Sequence, residues 1–142
     1  MSSAGRRMKP ETGQQRRLVR AVCSRRGDGA VVPFQAVRAP DWVPSQFWCH
    51  ANTRAWVDRN PDWKVVHGWL MDEKGDGSVE LFAHSVVARP DGVLVDVTPS
   101  PLPPVLPFIA HRGPASDYAE FITDNEIVSL IFDTKEFTRL QE

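Results

Sequence analysis

The sequence predicts an α+β fold, an antiparallel β-sheet packed against an N-terminal helix that carries Cys49. Three observations predict it. A single stretch, roughly 46–59, has helix-favouring residues between a capping pair and a stop signal. Several β-rich runs follow it, two of them joined by a strongly marked hairpin turn. At 142 residues and 42% hydrophobic, the chain suffices for one core and not for two.

Residues 1–26 hold eight of the 17 Lys and Arg against Glu11 alone, a net +7, while the rest, with nine basic and 17 acidic residues, carries −8. This segment reads as a basic, flexible arm, and 27–142 as a single α+β domain. Such an arm could touch nucleic acid, an anionic membrane surface or the protein's own acidic body. No aromatic residue is interleaved in it to stack on bases. No apolar run approaches 18 residues, so no membrane span is expected. No secretory signal pattern follows the basic start, and the expected compartment is the cytoplasm.

"AVVPFQAV" (30–37) has strand composition with a proline suited to an edge. Pro44-Ser45 offers a helix N-cap, and Asn60-Pro61 ends the helix. "WKVVHGWLM" (63–71) is a strand, and the Gly- and Asp-rich "MDEKGDGS" after it a turn rather than a calcium loop. "VELFAHSVVAR" (79–89) and "VLVDVT" (93–98) flank Pro90-Asp91-Gly92, which suits a type I turn followed by a left-handed glycine. Five prolines in 99–107 make that segment an extended connection. "FIAHR" is a further short strand, Ser116 or Asp117 caps a short helix through Phe121, and "EIVSLIF" is a last strand or a buried helix.

The hairpin loop has a chemical consequence. If Arg89 and Val93 flank three loop residues, opposed positions have numbers that sum to 182, and His84 and Asp96 share a face as diagonal neighbours. A two- or four-residue loop would put them on opposite faces. The order is then a helix opening with Cys49, a Gly68-containing strand, His84, and Asp96 near the end of the next strand. It resembles the transglutaminase-like members of the papain-like cysteine enzyme superfamily. The matching residues are Cys49 in "FWCHAN", Gly68 in "VVHGWL", His84 in "FAHSVV" and Asp96 in "VDVTP". Ser-Val follows His84 where that family often has Ala-Trp, and the likeness spans Cys49 to Pro99.

The resemblance implies a Cys49-His84-Asp96 triad and a thiol hydrolase or acyltransferase acting on an amide, a peptide bond or a glutamine side chain, through a thioester. The chemistry is coherent. A helix N-terminus and an imidazolium favour a thiolate, and a carboxylate orients the imidazole. The backbone N–H of Cys49 and the side chain of Gln46 are candidate oxyanion donors. Trp48, His50 and Trp69 are candidate substrate-binding residues. His50, next to Cys49 on the helix, points about 100° away and should line the site or pack rather than serve as its base. His67 and His111 read as structural.

Neither a metal-ligand spacing nor a phosphate loop is present, so no cofactor is implied. Cys23 and Cys49 read as free thiols. Two alternatives stand beside the enzyme: a non-catalytic peptide- or protein-binding module on the same fold, and a nucleic-acid-associated protein that uses the basic arm. Peptidase, deamidase and amine-transferring activities share one triad and are not separated by sequence.

Overall fold

The computed structural model describes residues 5–100 and 105–136. Six strands form one sheet: β1 (Gly5–Met8), β2 (Lys64–Glu73), β3 (Ser78–Ala88), β4 (Leu94–Val95), β5 (Phe108–Ala110) and β6 (Ile127–Asp133). The order is β1-β6-β3-β2-β5, with β4 also paired to β3. All pairings are antiparallel except that of β1 with β6. Two α-helices lie wholly within the described residues, α1 (Gly13–Ser24) and α2 (Cys49–Arg59).

The α+β class is as expected, but the helix bearing Cys49 is the second helix, and the sheet is mixed. The basic segment expected to be a flexible arm is integral to the sheet and core. Thr12 and Gln15 form a capping box that starts α1. Leu18, Val19 and Val22 lie on one stripe of it and are buried in the main core with Trp69, Leu81, Leu130 and Phe132. β1 adds the last strand. Arg7 makes a two-pronged ion pair with Glu80, Arg6 pairs with Glu126, and Arg26 pairs with Glu73. The Arg7 contact explains how Glu80, 2% exposed, is tolerated: Ser129 and Lys74 complete its set of partners. Of the partners open to the basic segment, its own acidic body is the one it meets in this structure.

The chain from 30 to 37 is extended but makes only isolated bridges, Ala30 to Phe108 and Phe34 to Asp96. Pro33 has no N–H to give; its carbonyl accepts from Asp96, whose own carbonyl accepts from Gln35. This competition shortens the expected strand at 93–98 to Leu94–Val95. A second cause is the Asp96 side chain, which accepts the Thr98 N–H and turns the chain away.

The predicted hairpin register holds. Val87 faces Val95 and Ala88 faces Leu94, Arg89 N–H donates to Val93 O, and Gly92 has φ 87°. "FIAHR" supplies β5, the expected helix before Phe121 is two short 3-10 turns (Ala115–Asp117 and Ala119–Phe121), and "EIVSLIF" forms a strand. The run 99–107 falls partly outside the described residues, and its last residue, Pro107, accepts from the Met71 N–H. Gly68 is obligatory for packing: a Cβ there would sit 2.4 Å from Ile109 O and 2.6 Å from the Phe108 ring.

Candidate functional site

β6 pairs with β3 over residues 78–82, and β4 pairs with it over 87–88, on the edge opposite β2. The start of α2 meets β3 at the stretch between. Neighbouring residues there point to opposite faces. His84 points to one face, with Phe82 and Val86, and Ser85 points to the other.

Cys49 opens α2, 6% exposed, with the His84 and His50 imidazoles close enough to act on its thiol. His84 Nε2 lies 2.6 Å from Asp96 Oδ2, which leaves Nδ1 as the ring nitrogen for the sulfur. The other Asp96 oxygen accepts the Thr98 N–H at 3.0 Å. Thus the residues proposed as nucleophile, base and orienter stand in one contact chain, on the face that the odd-numbered loop dictates.

The electrostatics follow from that chain. Burial alone would push the Cys49 thiol up, but the charge of His84 and the hydrogen bonds from His50 and His84 outweigh it and bring it down to about 6. Burial likewise disfavours a charged His84; the Cys49 sulfur and the Asp96 carboxylate reverse this and raise it to about 10. A thiolate-imidazolium pair is therefore the favoured state between those two values.

Two expected site residues land elsewhere. Trp69 is 0% exposed in the main core, against Tyr118 and Phe121, because it shares a face with Met71 and not with His84. It cannot touch a substrate. His50 does not line the cavity that opens beside Cys49. It is 5% exposed, its Nδ1 is 2.6 Å from Ser85 Oγ, and the same hydroxyl is 2.7 Å from His67 Nδ1. The expectation that it turns away from Cys49 fails because Ser85 holds its ring beside the sulfur. Trp48 is half-buried at the N-cap position, and Gln46 is exposed in the preceding loop.

The helix begins at Cys49, not 46, because Phe47 has φ 69°. The Cys49 N–H donates to Phe47 O at 3.0 Å, closing an inverse γ-turn centred on Trp48, whose φ and ψ are −90° and 62°. The oxyanion donor expected from sequence is therefore already engaged.

Sequence reasoning also missed two positioning residues. Asn52, 3% exposed, accepts the Ser45 N–H and donates to Ser45 O at 2.7 Å and to Thr98 Oγ1 at 3.1 Å. It ties the loop before Cys49 to the strand end that carries Asp96. A buried Asn in a helix was a readable signal. Tyr118, 1% exposed, donates to Gly68 O at 2.6 Å and accepts the His84 N–H at 3.1 Å, with its ring stacked on His67. Burial, together with the nearby sulfur charge, keeps its hydroxyl protonated. The His67 ring is disfavoured as a cation by burial first, then by His50 and His111.

A cavity of about 620 Å³ opens beside Cys49, His84 and Asp96. Its other walls are mostly apolar. Among the described residues no cluster of side chains is suited to hold a metal ion, and no helix is long and apolar enough to cross a membrane. No family model, curated protein or solved structure matches the chain.

Proposed function

We propose that the protein is a cysteine-dependent hydrolase or acyltransferase that acts on an amide through a thioester, with Cys49 as nucleophile, His84 as base and acid, and Asp96 as orienter. The observation that carries this reading is the 2.6 Å contact of Asp96 with His84 Nε2, which aims the opposite ring nitrogen at a thiol lowered to about 6. The order of these residues and their resemblance to the transglutaminase-like enzymes support it. Peptide bonds and glutamine side chains are the amide classes that resemblance favours.

In the acylation step the Cys49 sulfur attacks the carbonyl carbon, and the carbon–nitrogen bond breaks as His84 gives its proton to the departing amine. Water or an acceptor amine then attacks the thioester, His84 takes the incoming proton, and the thiolate is released. For the Cys49 N–H to stabilise the oxyanion, the turn at Trp48 that engages it with Phe47 O has to open.

The same engaged N–H favours the second reading, a binding module with an inactive thiol. One experiment separates the two: iodoacetamide labelling of Cys49 against pH, followed by mass spectrometry for an acyl-Cys49 adduct with activated esters. The enzyme reading expects a labelling midpoint near pH 6, turnover that rises through pH 6 as the thiol ionises and falls near pH 10 as His84 loses its proton, and an adduct absent from Cys49→Ala. A thiol labelled only above pH 9, with no adduct, sinks it.

A further inference from the structure

We propose that the cavity beside Cys49 receives the acyl part of the substrate, and that this part is a neutral apolar chain of medium length. The inference rests on the thiol reading and, from the cavity lining, puts an apolar acyl class in place of the peptide and glutamine classes that the resemblance favours. At about 620 Å³ the cavity falls within the roughly 300–1,000 Å³ usual for small-molecule sites. Val32, Leu70, Phe82, Val86, Leu106 and Ile127 supply walls from five separate parts of the chain, so the space is an open-mouthed cavity built by the fold and is not a crease in one loop.

The polar lining tells the same story by its distribution. It consists of Cys49, His84 and Asp96, of Thr98 and Ser100 just beyond Asp96 in the chain, and of Glu126. Both carboxylates are engaged, Asp96 with His84 and Thr98, and Glu126 with Arg6. Among the described lining residues there is no Lys or Arg. A substrate carboxylate or phosphate would lose its water inside and meet no cation except the His84 imidazolium, which Asp96 and the Cys49 sulfur already engage. An alkyl chain loses nothing there, and each buried CH2 strengthens binding. Phe34 and Phe47, 47% and 39% exposed, extend the apolar surface outward.

The test uses 4-nitrophenyl esters of acetic, butyric, hexanoic and octanoic acids, and the mono-ester of glutaric acid, with the full chain. The expected result is a Cys49-dependent kcat/KM that rises about fourfold per CH2, following the transfer free energy of a methylene, until the cavity is full. The glutaryl ester should fall about a hundredfold below the neutral ester of similar length. In Leu70→Trp or Ile127→Trp, checked for a cooperative thermal transition, the best chain should become a shorter one. A flat series, or a glutaryl ester as fast as the neutral one, overturns the apolar-chain assignment while acyl-Cys49 still upholds the thiol reading. If no ester acylates Cys49, the thiol reading falls, and this inference with it.

Discussion

Cys23 and Cys49 are the two free thiols of one small protein, both on helices and both withdrawn from solvent, yet they are pushed in opposite directions. Burial raises Cys23 to about 11, and Arg26 and Glu73 nearby act against each other. Cys49 is buried more deeply and comes down to about 6 because two imidazoles face it, one of them held by a carboxylate. The lesson is that burial sets a penalty and the specific partners set the sign. Helix position contributes as well: Cys49 is at an N-terminus, whereas Cys23 is next to last in α1, where the dipole disfavours a negative sulfur.

The comparison can be broken most severely at His84. In His84→Ala the labelling midpoint of Cys49 is expected to climb about three pH units, past that of a model thiol, since desolvation then acts with less opposition. A midpoint still near 6 would assign the thiolate to His50 instead. Asp96→Asn comes next. It keeps the shape but removes the charge behind the imidazole, so the midpoint should rise by about one unit, while ester turnover falls on the order of a hundredfold or more through the wrong tautomer. Equal turnover in the variant would remove Asp96 from the mechanism.

Asn52→Ala sharpens the comparison from the structural side. Losing the ties to Ser45 and Thr98 should cost about 1–3 kcal/mol in urea denaturation, with a midpoint shift under half a unit. A large midpoint shift with unchanged stability would mean that Asn52 acts on the sulfur directly. The smallest effect is expected from Cys23→Ala, which should leave the Cys49 labelling profile as it is and remove only the slow, high-pH label. Any change at Cys49 would show that the two thiols are coupled.

The hairpin was the most legible part of this molecule because its turn chemistry is local. Pro90-Asp91-Gly92 set the loop length, the loop length set the register, and the register put His84 and Asp96 on one face. The helix around Cys49 was legible for the same reason, except at its start, where a positive φ at Phe47 has no signature in a Phe side chain. What escaped was non-local. Charge counting across residues 1–26 concealed a short apolar stripe, Leu18, Val19 and Val22, although Thr12 and Gln15 announced a helix start. His50 was judged from its angle on an isolated helix, which ignores Ser85, 35 positions away. Trp69 was placed near the site because the tryptophans cluster in sequence, while strand alternation sends it to the opposite face.

The parallel pairing of β1 with β6 gives the first residues of the chain a custodial role. A chain shortened to begin at residue 10 would keep α1, Cys49, His84 and Asp96 but would leave the β6 edge unguarded and Glu80 without its guanidinium. Such a chain should pair edge to edge or borrow a strand from another copy, and size-exclusion chromatography would show it as dimers and larger species. A clean monomer would mean that the edge is protected by some other device. The basic head of this protein is therefore best regarded as a built-in stopper against self-association.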